Sequence, residues 1–226
     1  MIEVKICGIN DLAAIDAALD AGADVVGLVF FPPSPRAVTM DLAAKLAARA
    51  RGRALMTALT VDADDGLLAD IVDHAKPDLL QLHGEESTAR VSAIRTRFGR
   101  PVMKAIPIAD AADLRLVPDY EAVADRILFD ARPPKDASRP GGHGRAFDWT
   151  LLAALARKKP MMLSGGLTPD NVLDAIRIVR PDGVDVSSGV ERAPGKKDAD
   201  KIRNFVNNAR AAAASLGNSR KRESVS

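Results

Sequence analysis

The sequence predicts an α/β protein, a single (β/α)8 barrel. Short apolar runs typical of buried strands alternate with segments of helical spacing, and eight such pairs fit the chain at roughly 25–30 residues each. The 226 residues are 47% hydrophobic and 27% charged, an ordinary balance for a globular chain. No linker or shift in composition divides the chain. We therefore expect one barrel domain over residues 1–215, followed by a polar, disordered tail at 216–226.

The first predicted strand shows period-two alternation. Val4 and Ile6 point to one face while Lys5 and Cys7 point to the other, and Gly8 then turns the chain. The second strand differs because it is almost continuously apolar, as in a strand that is covered on both faces. The predicted strands are, in order, 3–9, 24–30, 53–60, 78–82, 101–106, 126–130, 160–163 and 183–187.

A predicted helix follows each strand. The first helix has apolar positions from Leu12, can be capped by Asn10 or Asp11, and closes at 21–23. The fifth helix is short, and the seventh has Pro169 at an early position, where the missing N–H of proline costs nothing. The second to eighth predicted helices are 40–51, 66–75, 86–97, 109–116, 148–156, 169–179 and 198–214.

Composition and charge exclude several classes of protein. The net charge is only +2, from 32 basic and 30 acidic residues, so no bulk field draws the chain to nucleic acid or to a membrane. One cysteine cannot form an internal disulfide, and with three histidines it does not favour a structural zinc site. Because no signal peptide or membrane-spanning run is present, we expect a cytoplasmic protein. We expect a monomer, with a homodimer as the alternative, because no strand edge requires a partner.

In a barrel of this kind, function belongs to the C-terminal ends of the strands. The interior of this barrel is predicted to become polar toward that mouth, which a purely structural core would avoid. The polar side chains at or near those ends are Cys7, Arg36, Gln81, His83, Lys104, Asp130, Ser164, Asp185 and Ser187.

Cys7 lies where the first strand ends and the first helix begins. A nearby helix N-terminus and the ammonium of Lys5 on the same face would favour the thiolate. Burial, and the negative charges of a substrate, would oppose it. The sequence therefore leaves the sign of the pKa shift open. The alternative is that Cys7 is simply a small buried hydrophobe.

Two loops rich in glycine and serine follow the seventh and eighth strands. Their backbone N–H groups suit a phosphate, at the adjacent barrel positions where phosphate sites recur. Glycine also occurs at such turns for conformational reasons alone. Gly142 and Gly144, in the loop before the seventh strand, either close over the same ligand or belong to a surface loop. The candidates in the two main loops are Gly165, Gly166, Ser187, Ser188 and Gly189.

Arg36 and His83 each allow two interpretations. The planar fork of Arg36 suits a carboxylate, and the prolines before it stiffen its loop. An isolated arginine is, however, more often a solvated surface charge. His83 is either a donor to a substrate or a capping residue.

Together these residues resemble the phosphoribosylanthranilate isomerase family of tryptophan biosynthesis. The resemblance covers the chain except its tail, and it is specific because short motifs recur in order and at the right spacing. One departure is Asn10, where the family usually has threonine; either residue can cap a helix. The motifs are KICGI at 5–9, GLVF at 27–30, SPR at 34–36, QLHG at 81–84, LFD at 128–130, GHG at 142–144, FDW at 147–149, LSGGL at 163–167 and DVSSGVE at 185–191.

The resemblance implies an Amadori rearrangement of N-(5-phosphoribosyl)anthranilate, a small phosphorylated substrate, without metal or cofactor. Asp130 matches the general acid that protonates the ribose ring oxygen, and Cys7 matches the base that removes the C2 proton. Arg36 matches the residue that holds the anthranilate carboxylate, and the loops after the seventh and eighth strands match the phosphate cradle. Asp185 and His83 match positions that line the site.

Three other functions compete with this one. One is the related isomerase of histidine biosynthesis, or an enzyme that accepts both substrates. That family is expected to carry a carboxylate at the end of strand one, where this chain has Cys7. A catalytically silent, phosphate-binding barrel is a different class, and the intact Cys7 and Asp130 argue against it. A redox or thioester enzyme with Cys7 as nucleophile would need a resolving cysteine or a recognisable Cys–His signature, and the sequence shows neither.

Overall fold

The computed structural model describes residues 2–132, residue 141 and residues 146–223, with the side chains of the last helix described as far as Leu216. The backbone forms a closed barrel of eight parallel strands, each paired with its neighbours in chain order, and the eighth strand closes onto the first. The (β/α)8 fold predicted from the sequence is therefore confirmed.

The barrel strands lie where the sequence predicted them, and the helices follow in alternation. The strands are β1 (Glu3–Cys7), β2 (Val25–Val29), β3 (Leu55–Thr60), β4 (Leu79–Leu82), β5 (Val102–Ile108), β6 (Arg126–Ala131), β7 (Met161–Leu163) and β8 (Gly183–Val186). The helices are α1 (Leu12–Asp20), α2 (Met40–Ala50), α3 (Asp65–His74), α4 (Thr88–Phe98), α5 (Val117–Val123), α6 (Thr150–Ala153), α7 (Val172–Val179) and α8 (Ala199–Glu223).

Four of these helices differ from the prediction. The predicted fifth helix, 109–116, is too early: a 3-10 turn leads into α5, whose first turn contains Pro118. The proline therefore begins the helix, since its missing N–H is not needed there. The sixth helix shrinks to one turn, and α7 starts at Val172 rather than at 169. The last helix, α8, continues past 214 to Glu223, into the segment predicted to be disordered. The extent of the barrel domain, residues 1–215, stays a prediction.

A hairpin that the sequence did not predict follows the barrel. It consists of β9 (Glu191–Ala193) and β10 (Lys196–Lys197), which run antiparallel after a 3-10 turn at Ser188–Val190. Strands of three and two residues are too short to show an alternating pattern. At the turn, a Cβ on Gly195 would lie 2.4 Å from the carbonyl oxygen of Pro35, so the hairpin packs tightly against the loop between β2 and α2.

The floor of the barrel is apolar and its upper interior is polar. One interior layer is formed by Leu79, Met103, Ala105, Leu128 and Met162. Burying one such leucine or methionine side chain typically contributes about 1.5–3 kcal/mol. Nearer the C-terminal mouth, the fully or almost fully buried side chains include Lys5, Gln81 and Asp185.

Four aspartates tie the opposite, N-terminal end of the barrel together. Each stands just before an even-numbered strand and accepts a hydrogen bond from a backbone N–H near the start of the preceding odd-numbered strand, at 2.7–2.9 Å. The donors at the rim are thereby satisfied, as buried backbone groups require. The four residues are Asp24, Asp78, Asp125 and Asp182. No helix in the described part of the chain combines the length and apolarity needed to cross a membrane.

Candidate functional site

A cavity of about 820 Å³, including the space open at its mouth, lies at the C-terminal ends of the strands. Its wall is built from strand ends and the loops that follow them, which is where the (β/α)8 fold places functional groups. The predicted site residues that line this cavity are Cys7, Arg36, His83, Asp130, Gly165, Gly166, Asp185, Ser187 and Ser188.

Among the described site predictions, Gly189 alone is outside this lining. Gly142 and Gly144 lie outside the described residues. Their neighbour Gly141 lines the cavity, and a Cβ there would lie 2.9 Å from Oδ2 of Asp130, too close unless that side chain shifted. The assignment of Gly189 to the phosphate loop stays a prediction. A Cβ there would lie 1.9 Å from the carbonyl oxygen of Leu167, so the close packing of two loops explains this glycine.

Cys7 projects into the cavity from the end of β1. Gly27 of β2 is its neighbour in the sheet, and a Cβ on Gly27 would lie 2.8 Å from the Cys7 sulfur. The glycine therefore leaves room for the thiol. On the same face of β1, the buried Nζ of Lys5 donates a hydrogen bond to Oδ1 of Asp185 at 2.9 Å. Oδ2 of Asp185 accepts a longer hydrogen bond from Ser164, at 3.4 Å.

The structure decides the sign that the sequence left open for Cys7. Burial raises the pKa of the Cys7 thiol above its ordinary value; Lys5 and Lys197 lower it and Asp185 adds to the rise. For Lys5, burial opposes the charge, but Asp185 and Cys7 outweigh it and hold the pKa of this amine above its ordinary value. The raised pKa favours the thiol form of Cys7 at neutral pH in the free protein, next to the hydrogen-bonded pair of Lys5 and Asp185.

His83 bridges two other buried polar side chains. Its Nε2 lies 3.2 Å from Oδ2 of Asp130, and its Nδ1 lies 2.9 Å from the amide nitrogen of Gln81. When the amide N–H of Gln81 donates to Nδ1, the ring proton is on Nε2, which then donates to Asp130. Oδ1 of Asp130 accepts from the backbone N–H of Ala131 at 2.9 Å. His83 thus contacts the predicted general acid and caps no helix.

The loop that carries His83 is held by a buried ion pair. Nζ of Lys104 lies 2.7 Å from Oε2 of Glu86 and donates to the carbonyl oxygen of Gly84 at 2.6 Å. The other carboxylate oxygen of Glu86 accepts from the backbone N–H of Asp62. Lys104 was one of the polar residues at the strand ends, but it does not line the cavity. Its structural contribution is to fix the loop after β4.

Arg36 is buried, with 4% of its surface exposed, so the interpretation as a solvated surface charge is wrong. Its Nε and Nη2 donate to the two carboxylate oxygens of Glu191 at 2.7 and 2.8 Å. Gly8, with φ of +76°, makes room for this arginine, since a Cβ there would lie 2.5 Å from its Cδ. Glu191 itself is held by Lys197 at 2.9 Å. Sequence reasoning missed both partners because each resembles an ordinary surface charge in the sequence.

The cavity has an apolar side next to Arg36. Val29 and Leu59 pack with Cys7, and Phe31 and Val61 lie against them. All four apolar side chains line the cavity. An aromatic ring that carries a carboxylate fits this side, because the ring would contact the aliphatic wall while the carboxylate reached the guanidinium.

The opposite side is formed by the loops after β7 and β8. Gly165 and Gly166 have φ of +84° and +67°, and within the described residues their backbone N–H groups donate no hydrogen bond. Asn171 fixes this loop by donating to the carbonyl oxygen of Gly166 at 2.9 Å. The helix expected directly after Gly166 starts only at Val172, so the loop itself, not a helix N-terminus, provides the donors. Within the described ranges, no group of three or more His, Cys, Asp or Glu side chains could hold a metal ion.

Comparison with known proteins agrees with this geometry. Residues 4–208 match the family model described as N-(5'phosphoribosyl)anthranilate (PRA) isomerase. An N-(5'-phosphoribosyl)anthranilate isomerase of Rhodopseudomonas palustris (strain BisA53) is 64% identical over 210 residues, which cover 93% of this chain and 96% of the relative.

Solved structures give the same result. The crystal structure of phosphoribosyl anthranilate isomerase from Thermotoga maritima has a TM-score of 0.85 and 36% identity, covering 93% of this chain and 100% of that chain. A further solved structure of this isomerase is a complex with reduced 1-(o-carboxyphenylamino)-1-deoxyribulose 5-phosphate, at a TM-score of 0.82 and 34% identity, with the same coverage. This chain therefore belongs to the N-(5'-phosphoribosyl)anthranilate isomerase family.

Proposed function

We propose that the cavity binds N-(5-phosphoribosyl)anthranilate and isomerises it to 1-(o-carboxyphenylamino)-1-deoxyribulose 5-phosphate, the reaction of this family in tryptophan biosynthesis. The observation that carries the proposal is the distribution of chemistry around one cavity. An apolar wall with Arg36 lies on one side, and the backbone N–H groups of Gly165 and Gly166, which have no acceptor among the described residues, lie on the other. Cys7 and Asp130 line the space between them.

The two ends of the substrate match the two sides of the cavity. The anthranilate ring would contact Val29, Leu59 and their neighbours, with its carboxylate at Arg36. The phosphate would accept hydrogen bonds from the loops at Gly165–Gly166 and Ser187–Ser188, and the position of that pair of loops is the one where phosphate sites recur in barrels. A related structure holds the reduced product, which carries both groups.

The first half of the reaction opens the ribose ring. The anthranilate nitrogen forms a double bond to C1, the bond from C1 to the ring oxygen breaks, and Asp130 gives its proton to that oxygen. Asp130 must therefore be protonated in the reactive complex. Its contact with His83 and with the backbone N–H of Ala131 fixes the carboxyl group in the cavity wall.

The second half moves a proton from C2. The thiolate of Cys7 takes this proton, and the bonding electrons form the C1–C2 double bond of an enolamine while the nitrogen recovers its lone pair. The enolamine becomes the ketone when C1 gains a proton and the C2 hydroxyl loses one. That step needs an acid and a base, which is what Cys7 and Asp130 have then become.

The geometry of the site does not bear on the predicted oligomeric state, location or cofactor of this chain. A monomer, with a homodimer as the alternative, stays a prediction that sedimentation of the purified chain would check. A cytoplasmic location and the absence of a cofactor also stay predictions. The residue at the end of β1 is Cys7, which argues against the activity of the related isomerase of histidine biosynthesis, because that enzyme is expected to carry a carboxylate there.

The proposed function is tested by adding the purified full-length chain to N-(5-phosphoribosyl)anthranilate and following the loss of anthranilate fluorescence. We expect a rate that is proportional to enzyme concentration and that exceeds the enzyme-free control. The phosphorylated aminoaldose that the related histidine-biosynthesis isomerase uses serves as a second arm. A rate no higher than the control with the first substrate, or activity with the second substrate alone, would overturn the proposal.

A further inference from the structure

We propose that Glu191 is a positioning residue: clamped by Lys197, it aims the free edge of the Arg36 guanidinium at the substrate carboxylate. The inference rests on the binding role proposed above for Arg36. Glu191 does not line the cavity, so it would act only through the arginine.

The argument begins with the two edges of the guanidinium. Glu191 occupies the edge formed by Nε and Nη2, at 2.7 and 2.8 Å. A second bidentate edge, formed by Nη1 and the other hydrogen of Nη2, is left over, and no described residue accepts a hydrogen bond from Nη1 of Arg36. Because the group is planar and rigid, fixing one edge fixes the direction of the other.

The carboxylate of Glu191 is fully satisfied. Besides the two donors of Arg36, it accepts from Nζ of Lys197 at 2.9 Å and from the backbone N–H of Gly195 at 3.2 Å. Burial opposes its charge, but Arg36 and Lys197 outweigh burial and hold the pKa of Glu191 below its ordinary value. The acceptor that holds Arg36 is therefore ionised at neutral pH.

Lys197 connects this cluster to the loop after β8. Its side chain is 1% exposed, and its Nζ donates to the carbonyl oxygen of Ser187 at 2.9 Å as well as to Glu191. Ser187 lines the cavity on the side proposed for the phosphate. The hairpin of β9 and β10 thus links the carboxylate side of the cavity with the phosphate side through one glutamate and one lysine.

The charges of this cluster also suit an anionic ligand. Arg36 carries one positive charge and Glu191 one negative charge, and Lys197, whose pKa burial holds below its ordinary value, adds a second cationic group beside the cavity. A buried ion pair contributes little net stability compared with a well-packed apolar pair. Stability therefore does not explain the buried pair of Arg36 and Glu191, whereas fixing the orientation of the arginine does.

The test compares Glu191→Gln with the native chain in the fluorescence assay. Glutamine keeps the shape but loses the charge, and its NH2 group would face donors of Arg36 or Lys197. We expect KM to rise about tenfold or more, as for the loss of a hydrogen bond to a charged group, with kcat little changed. Affinity for reduced 1-(o-carboxyphenylamino)-1-deoxyribulose 5-phosphate, measured by calorimetry, should fall by the same factor.

Glu121→Gln is the matched control. Glu121 is also buried, at 5% exposure, and accepts hydrogen bonds from the backbone N–H groups of Lys158 and Lys159 away from the cavity lining. We expect this variant to lower the unfolding temperature without moving KM. If Glu191→Gln also lowers only the unfolding temperature and the active fraction, its role is structural and the inference is overturned.

A double-mutant cycle with Arg36→Met separates the inference from the function on which it rests. Arg36→Met should itself raise KM, and an unchanged KM would mean that the proposed role of Arg36 is wrong. If Glu191 acts through Arg36, adding Glu191→Gln to Arg36→Met should change KM by less than about twofold. Independent, multiplying effects would overturn the inference while leaving the role of Arg36 in place.

A second variant covers the case in which Glu191→Gln does not fold. Lys197→Met keeps the pair of Arg36 and Glu191 but removes the clamp on it and the contact with Ser187. We expect KM to rise in this variant as well, by a smaller factor. An unchanged KM in folded Lys197→Met would contradict the inference.

Discussion

Nε2 of His83 lies 3.2 Å from Oδ2 of Asp130, and the opposite ring nitrogen is held by Gln81 at 2.9 Å. The histidine therefore fixes the orientation of the carboxyl group proposed as the general acid. The sequence placed His83 at the site but left open whether it donates to a substrate or caps a helix. The structure shows that Asp130 is its partner.

We expect His83→Gln to lower kcat by about tenfold, because Asp130 loses the donor that orients it but keeps its own proton-transfer chemistry. KM should change less than kcat. Steady-state kinetics in the fluorescence assay check this. His74→Gln is the control, since His74 is exposed at the end of α3 and bonds only to the backbone oxygen of Asp70. Equal effects of the two substitutions would refute the role of His83.

Gly166→Ala tests the loop after β7. We expect it to raise KM severalfold, because a methyl group would shield the N–H groups that are proposed to bind the phosphate. Its φ of +67° also means that alanine is strained there, by about 1–2 kcal/mol. Gly99→Ala carries the same kind of strain at φ of +59°, at the end of α4 with open space around it. KM values that match in the two variants would show that strain, not anion binding, explains the effect.

The raised pKa of Cys7 predicts that kcat/KM increases in the alkaline range as the thiol ionises. Because the thiolate is the base, the rate should rise with pH through a value above the ordinary thiol pKa of about 8.5. Lys5→Met should move this increase to still higher pH, since Lys5 lowers the pKa of Cys7. Initial rates and iodoacetamide labelling from pH 6 to pH 10, a range of about four units around that value, check both points. An increase that moves to lower pH in Lys5→Met would contradict the electrostatic account.

Asp24→Ala tests the N-terminal rim of the barrel. Asp24 accepts from the backbone N–H of Val4 at 2.7 Å and pairs with Arg210 at 2.6 Å. We expect a loss of about 1–2 kcal/mol in the free energy of unfolding, measured in urea, with kcat/KM unchanged. Asp20→Ala removes only an exposed pair with Arg53 and should have almost no effect. Equal losses in the two variants would argue against the rim contact.

The sequence was sufficient for the barrel because short strands, either alternating like β1 or continuously apolar like β2, are regularly followed by segments of helical spacing. It failed where the decisive contacts are tertiary. The helix at Val117–Val123 was not predicted, because the sequence does not show where the preceding loop ends and so whether Pro118 stands in a first turn. Glu191 and Lys197 are ordinary charges in the sequence, and only the hairpin packed on Arg36 buries them.

For the site, the sequence predicted which residues lie at strand ends, but not the tertiary contacts that set their electrostatics. Residues at strand ends, such as Cys7, Asp130 and Asp185, follow from the barrel and from period-two alternation. The sign of the Cys7 pKa shift does not follow, because it depends on the balance between burial and the charges of Lys5, Lys197 and Asp185. Gly189 was assigned to a phosphate loop from its neighbours in sequence, and its close packing against Leu167 was not foreseen.

The central claim is that one base and one acid, Cys7 and Asp130, carry out the isomerisation in this cavity. The most direct test is the activity of Cys7→Ala and Asp130→Ala, measured together with their affinity for reduced 1-(o-carboxyphenylamino)-1-deoxyribulose 5-phosphate. We predict that each variant loses at least about 100-fold in kcat while it still binds this compound. Full activity in Cys7→Ala, with the fold intact, would contradict the account.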